Sequence, residues 1–462
     1  MNLLRTPAVL AAGAAMLLLS SFHPRPTPPP PAAGWQSLFD GKTLTGWKRL
    51  AGTADYKVEN GAIVGTTVAG SGNTFLVTEK EYGDFDLELD VKIDDPTNNS
   101  GVQTRSHFDT PAQPGQVFGR QVEIDPSARS WSGGVYDEAR RQWLYPLDLH
   151  PQAKTAFKVG QYNHLKVECL GNEMKTWVNG VPVAYVVDPV DPTGFIGLQV
   201  HAVSEAAQAG HKVYFKNIRI KTKDLRPSAF PADIYVVNFA PNYLSAYEKQ
   251  HGWQLLFDGK SPAGWRSAKG AAFPAQGWQI ADGTLTVLPS EGKEAANGGD
   301  IVTQAEYSAF DLSFEFKLTP GANSGLKYFV TLAEKTDMSA IGLEYQVLDD
   351  ALHPDAKLGR DGNRTLASLY DLQTAAKPPR FVHAIGEWNV GRVVVYPNNH
   401  VEHYLNGAKV LEYDRGSPAF RALVAQSKYH VWPNFGEAPA GHLLLQDHGN
   451  RVSFRSIKLK KL

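Results

Sequence analysis

Gly34-Trp35-Gln36-Ser37-Leu38-Phe39-Asp40-Gly41-Lys42, closed by Gly46-Trp47, returns later in the chain as Gly252-Trp253-Gln254-Leu255-Leu256-Phe257-Asp258-Gly259-Lys260, closed by Gly264-Trp265. Further blocks follow in the same order. Tyr82-Gly83-Asp84-Phe85-Asp86-Leu87 matches Tyr307-Ser308-Ala309-Phe310-Asp311-Leu312, and Asn99-Ser100-Gly101-Val102 matches Asn323-Ser324-Gly325-Leu326. Trp177-Val178-Asn179-Gly180 matches Tyr404-Leu405-Asn406-Gly407, and Leu198-Gln199-Val200-His201 matches Leu445-Gln446-Asp447-His448. Phe215-Lys216-Asn217-Ile218 matches Phe454-Arg455-Ser456-Ile457. An ordered series of this kind does not come from composition bias; it marks two diverged copies of one structural unit. The copies run over 34–222 and 251–462, joined by a linker over 223–250. Within the linker, 242–250 reads as a short helix capped by Asn242.

Each copy carries the two-residue period of strands. Phe85-Asp86-Leu87-Glu88-Leu89-Asp90-Val91 alternates apolar with polar, as does Phe310-Asp311-Leu312-Ser313-Phe314-Glu315-Phe316. Asn60-Gly61, Asn179-Gly180, Asp282-Gly283 and Asn406-Gly407 read as hairpin turns, since both residue types tolerate positive φ. With 42 glycines, 30 prolines and no long helical period, the chain reads as all-β: two tandem jelly-roll sandwiches.

Lys and Arg number 46 against 47 Asp and Glu, which gives no electrostatic reason to expect nucleic acid or an anionic membrane as partner. The N-terminus has the form of an export signal over 1–21: Arg5, then an apolar run from Ala8 to Leu19, then Ser20 and Ser21. That run is too short for a stable membrane span, so the mature form is expected without one, exported to the periplasm or beyond. A stiff proline-rich spacer over 22–33 follows. The single cysteine, Cys169, lies in an alternating strand pattern and reads as a buried thiol.

Chemistry concentrates in rows of polar side chains, because residues two apart on a strand share a face. Gln121, Glu123 and Asp125 form one row, opposite Val122 and Ile124; the second copy has Glu344 and Gln346, followed by Asp349. Carboxylate and amide have traded places between the copies. Such a row can orient sugar hydroxyls or hold a hard cation. After the Asn-Ser-Gly turns come Gln103, Arg105 and His107 in the first copy, and Lys327 in the second, where Phe329 stands in place of Arg105. Gln199 with His201, and Gln446 with His448, make a pair that recurs in both copies. Tyr136-Asp137-Glu138 and Tyr370-Asp371 lie near charged segments, the second beside a loop with His353, Asp355, Lys357 and Arg364. Glu123-Ile124-Asp125 is similar to the E-x-D strand of jelly-roll β-glucanases. Pro126-Ser127-Ala128 follows, without the second carboxyl that retaining hydrolysis needs. There is no G-x-S-x-G, P-loop or H-E-x-x-H motif.

Taken together, these blocks, with Glu344-Tyr345-Gln346-Val347-Leu348-Asp349, Leu369-Tyr370-Asp371 and Trp388-Asn389, resemble the 3-keto-disaccharide hydrolase family across both copies. The resemblance implies a concanavalin/laminarinase-like jelly roll and bacterial processing of oxidised glycosides. It implies a chemistry too. A ketone at C3 acidifies the C2 proton, a base removes it, the C1 oxygen leaves by β-elimination, and water adds back. On that reading Glu344 and Asp349, or Glu123 and Asp125, are base or metal-ligand candidates. His448, His201 and His353 are acid, base or ligand candidates, and Tyr370 and Tyr136 are proton donors. Arg105 and Lys327 would stabilise the enolate, and Gln346, Gln446, Gln121 and Gln199 would hold substrate. A divalent metal ion on Glu344, His448 or Asp125 would serve the enolate equally. An oxidoreductase upstream must supply the ketone. The second copy, with the fuller ionisable loop, is the expected catalytic one; the first, which retains Arg105, is the alternative, alone or together with the second.

Two other readings stay open. A non-catalytic glycan-binding protein would set Trp131, Trp143 and Trp432 on one face and tolerate loss of Glu344. A structural protein of the cell envelope would use the polar rows as surface.

Overall fold

A computed structural model describes Met1 and residues 34–336 and 339–462; apart from Met1, the export segment and the proline-rich spacer lie outside the described residues. Two β-sandwiches follow one another. In the first, Phe85–Ile93 lies at the centre of a nine-stranded sheet, between Asn163–Leu170 and Lys212–Lys221. It alternates without a break between buried and half-buried residues, as its sequence pattern requires. The facing seven-stranded sheet has the order Gln142–Tyr145, Val135–Glu138, Gln113–Ile124, Ser100–Thr110, Phe195–Val200, Thr74–Thr78, Trp47–Ala51. Leu87, Leu89 and Val91 of one sheet close a core with Val122, Ile124 and Leu198 of the other. The second domain repeats the plan with eight and five strands; Phe310–Leu318 is central in one sheet, and Asn323–Val330 pairs with Leu343–Leu348 at one edge of the other.

The repeated opening block has a physical reason in both copies. Phe39 and Phe257 are buried in the two cores. Asp40 accepts hydrogen bonds from the amides of Lys42 and Thr43, both at 2.7 Å, and Asp258 from those of Lys260 and Ser261, both at 2.8 Å. Trp47 Nε1 donates to Leu38 O at 2.7 Å, and Trp265 Nε1 to Leu256 O at 2.6 Å. The motif ties the first strand of each sandwich across to the facing sheet. The four hairpin dipeptides take left-handed φ at both positions, from 49° to 83°, as right-twisting strands demand.

Three expectations need correction. The helix before the second domain is Ala246–Gln250, and its cap is Ser245, in a reciprocal capping box with Glu248. Asn242 instead accepts from the Ser456 amide at 2.8 Å and donates to Gly283 O at 2.7 Å. The Asn-Ser-Gly sequences are strand, not turn, since Ser100–Thr110 and Asn323–Val330 begin within them. Phe310–Leu318 is buried on both faces except at Lys317. Its outward side chains meet the other domain's side of the molecule instead of solvent.

The segment over 223–250 is packed, not loose. Val237–Asn238 adds in parallel to Val181–Val187, and Ile234, Val236 and Leu244 are buried. Tyr235 lies under the Arg392 guanidinium at 3.9 Å, Glu248 and Lys458 form a buried ion pair at 2.6 Å, and Phe381 packs on Trp131 at 5.8 Å. No helix among the described residues is long and apolar enough to cross a membrane.

Candidate functional site

On the seven-stranded and five-stranded sheets, the residues that alternate with the core face outward. Strand register brings Gln103, Gln121 and Tyr136 side by side in the first domain, and Lys327 beside Glu344 in the second. The glycine of Asn-Ser-Gly makes room for this row. A Cβ on Gly101 would stand 2.1 Å from Gln121 Cδ, and one on Gly325 would stand 2.1 Å from Glu344 Oε1. Neither glycine has positive φ; what the site requires is the missing side chain.

In the second domain the row floors a cavity of about 250 Å³ lined by Lys327, Glu344, Gln346, Tyr370, Gln446 and His448, with Glu294, Asn323, Asp355, Lys428 and Trp432 around them. Glu344 is 4% exposed. Burial pushes its carboxyl up to about 7, against the pull of the Lys327 and Lys428 ammonium groups. Lys327 Nζ is fixed by donating to Ser339 Oγ at 2.6 Å and Ala340 O at 3.1 Å. Lys428 is an exposed residue. Its Nζ stands 4.3 Å from the Tyr370 ring centre, and desolvation, partly offset by Glu344, lowers its pKa.

A charge relay positions these groups. Tyr370 Oη donates to Asp355 Oδ2 at 2.8 Å, Arg364 bridges Asp355 at 2.9 Å and Asp371 at 2.7 Å, and Asp371 accepts from the Lys428 amide at 2.7 Å. Burial, with the Glu344 and Asp355 charges, raises the Tyr370 pKa far above its ordinary value, so the phenol keeps its proton. His448 packs edge-on to His353 at 5.4 Å, and burial and its neighbour His448 lower the His353 pKa. Gln446 Nε2 donates to Glu294 at 3.0 Å. Asn323 Oδ1 and His448 Nδ1 are buried without a hydrogen-bond partner in the protein, which marks both for a ligand.

The first domain keeps the frame and changes the charge. Glu123 accepts from Asn99 Nδ2 at 2.8 Å and from Gln121 Nε2 at 2.9 Å, and Gln121 in turn accepts from Gln103 at 2.8 Å. Burial pushes Glu123 up to about 7, and Glu138 likewise. Glu138 is therefore a second carboxyl in electrostatic contact with Glu123. It comes from a separate strand, where a search of the residues just after Glu123 could not find it. Gln199 lies 3.5 Å from Glu138 and leaves Oε1 unpartnered. Tyr136 is on the same face, its pKa raised to about 12 by burial first and the Glu138 charge second. His201 Nδ1 lies 2.7 Å from Ala202 O, and burial lowers its pKa.

Arg105 and Asp349 are not in these clefts. Arg105 has φ 48° at a register shift of its strand, so it leaves the face of Gln103. Its guanidinium is buried and donates to Gly83 O at 2.8 Å, Gly171 O at 2.7 Å and Asp84 at 2.9 Å. Phe329 repeats the bulge at φ 56° and packs in the core. Asp349 is used by its own loop, accepting from the amides of Gly321, Ala351 and Leu352. Trp131 and Trp143 are core residues 4.6 Å apart, leaving Trp432 as the tryptophan in the second cleft. Lys428 and Glu294 escaped the sequence reading because they sit in segments without period or repeat.

The candidate metal ligands divide between the two domains. Asp125 belongs to the first domain, bound by Arg129 Nε at 2.7 Å, while Glu344 and His448 line the second-domain cavity. Among the described residues, three metal-ligating side chains converge within 4.8 Å only at His400, Glu402 and Glu412. There Lys409 already contacts Glu402 at 3.1 Å and Glu412 at 2.6 Å. In the cleft the positive charge is supplied by Lys327 and Lys428.

The chain is 37% identical over 232 residues to the 3-keto-disaccharide hydrolase of Bacteroides thetaiotaomicron, covering 46% of this chain and 79% of that protein. Among solved structures it is similar to a Parabacteroides distasonis chain described as a glycosyl hydrolase, at 29% identity and TM-score 0.41, over 48% of this chain and 99% of that one. It is also similar to the carbohydrate-binding module CBM66 from Bacillus subtilis, at 22% identity and TM-score 0.28, over 39% of this chain and 98% of that one. The family model described as a 3-keto-alpha-glucoside-1,2-lyase-like domain matches residues 34–221 and again 252–460, so the chain belongs to that family, with two copies of its domain.

Proposed function

We propose that the protein cleaves the glycosidic bond of 3-keto-glycosides, and that the second-domain cleft is the active site. The observation that carries this reading is Glu344: a buried carboxyl pushed up to about 7, in a cavity it lines together with Lys327 and Lys428. Such a group takes a proton readily at neutral pH and returns it as readily. Glu344 removes the proton from C2, and the electron pair moves toward the C3 oxygen as an enolate. Lys428 and Lys327 stabilise that charge, which develops only as the reaction proceeds. Collapse of the enolate re-forms the C3 ketone, makes the C1–C2 double bond and breaks the bond from C1 to the leaving oxygen. In this reading His448, which lines the same cavity, gives that oxygen its proton. Water then adds to C1, giving its proton to His448, while C2 regains the proton held by Glu344, completing a net hydrolysis.

The first domain supports the same class of ligand but satisfies its carboxylate with two amide donors and sets no lysine beside it. We read it as the copy that does not perform the elimination. The N-terminal signal favours an exported protein, and the chemistry requires an oxidoreductase that oxidises C3 of the glycoside upstream. The test is release of a chromophore from a 3-keto-glucoside, with the unoxidised glucoside in parallel, each with and without EDTA. Release from the keto substrate alone, unaffected by EDTA, is the expected result; release from neither, or equally from both, overturns the proposal.

A further inference from the structure

The Lys327 ammonium of the second-domain cleft is linked to a buried carboxylate that does not line the cavity. Lys327 Nζ donates to Ser339 Oγ at 2.6 Å, and the same hydroxyl donates to Asp300 Oδ2 at 2.5 Å. All three residues are buried; Lys327 and Ser339 line the cavity and Asp300 does not. A hydroxyl that accepts from a cation and donates to an anion couples the two charges. The other oxygen of Asp300 accepts from the Asp447 amide at 3.0 Å. Asp447 stands between Gln446 and His448, which line the cavity as well. One carboxylate thus meets two of the segments that build the cleft.

The two charges occur together or not at all. In the second copy Leu445 faces Leu326 on one side and Ile301 on the other. In the first copy the matching Leu198 faces Val102 and Leu76. Lys327 and Asp300 therefore stand where the first copy has Gln103 and Phe75. Phe75 is buried in an apolar cluster with Val77, Val117 and Phe195. The first copy, whose carboxylate has no lysine beside it, also lacks the acid that would balance one.

A buried charge without a partner is costly. Burial raises the Asp300 pKa, and the Lys327 charge is the largest influence against it. Lys327 also acts on Glu344, but Glu344 becomes neutral when it takes the C2 proton. Asp300 is then the carboxylate left to balance the ammonium as the enolate forms.

We infer that Asp300 is a positioning residue of the second-domain cleft, holding the Lys327 ammonium through Ser339 and the Gln446–His448 segment through the Asp447 amide. The inference rests on the reading of that cleft as the active site. Its test is a double-variant cycle on the full chain: parent, Asp300→Asn, Lys327→Met and the two combined, followed by thermal unfolding at pH 8 and by turnover of a chromogenic 3-keto-glucoside. Asp300→Asn alone should lower the unfolding midpoint, because Lys327 loses its counter-charge. In the Lys327→Met background the same change should raise it, because it removes a carboxylate that has lost its cation. Asp300→Asn should lower kcat about 10–100-fold with KM within about threefold. In the Lys327→Met background it should cost less than about threefold. If Asp300→Asn does not fold, the midpoints of Lys327→Met and the combined variant decide the matter. The inference is overturned if Asp300→Asn lowers the midpoint equally in both backgrounds, as a purely structural role would. It is overturned too if Asp300→Asn leaves kcat within about threefold of the parent. Absence of turnover in the parent would refute the reading of the cleft instead, and the midpoints would still decide whether Asp300 is coupled to Lys327.

Discussion

Replacing Glu344 by glutamine removes the base and keeps the shape. The first domain shows that the shape is allowed: Gln121 stands at the matching position, packed over Gly101 as Glu344 is packed over Gly325. Activity and stability should therefore move in opposite directions. Loss of a general base costs roughly 10²–10⁴-fold in turnover, or about 3–5 kcal/mol of transition-state stabilisation. For stability, the folded-state pKa of Glu344 is raised from 4.5 to about 7. An acid raised in this way destabilises the fold when ionised. The cost is absent below 4.5, grows through the interval and is complete above about 7. At neutral pH it amounts to about 3 kcal/mol as an upper figure. Glu344→Gln should thus unfold later than the parent at pH 8 and no later at pH 4, while turning over a chromogenic 3-keto-glucoside far more slowly. The acid limb of the parent's rate profile, rising through about 7, should vanish with it. A variant that keeps turnover within about threefold, or that keeps the acid limb, refutes the assignment of Glu344 as base.

Lys428→Met removes one of the two cations that oppose the burial of Glu344; turnover should fall about 10–100-fold, and the acid limb should move to higher pH. Gly325→Ala puts a Cβ 2.1 Å from Glu344 Oε1. Displacing that carboxylate should cost about 1–3 kcal/mol in thermal unfolding and most of the activity, whereas an unchanged rate would show that the carboxylate need not sit there. Glu123→Gln should leave turnover of the keto substrate within about threefold of the parent; a larger loss would make the first domain catalytic. EDTA should leave the rate unaltered, because the cleft's positive charge comes from lysine side chains.

Much of the architecture was legible because it is written in local pattern. The alternation in Phe85–Ile93 is one side chain in and one out, and the structure buries it so. The hairpin dipeptides take the positive φ that their chemistry permits. The repeated blocks report two domains because each does the same job twice, as the Trp47 and Trp265 hydrogen bonds show. That Glu344 and Gln346 share a face was legible for the same reason, since period two assigns a face without any knowledge of the fold; that Lys327 lies beside Glu344 came from strand register.

What the sequence alone could not decide was anything set by a break in that period or by a meeting of distant segments. Arg105 looked like a neighbour of Gln103, but a single left-handed residue at a bulge turned it away and buried it. Asn-Ser-Gly looked like a turn because glycine and asparagine favour turns, yet here glycine serves the space that Gln121 and Glu344 occupy. Lys428 reaches Glu344, and Glu138 reaches Glu123, from other elements of the chain. A cavity between the domains is lined by Ser313 and Glu315 of Phe310–Leu318 together with residues far away in sequence, such as Arg141 and Tyr235. Local pattern fixes which way a strand residue points, whereas the charge it meets, and hence its pKa and its chemistry, depends on what the tertiary fold brings opposite.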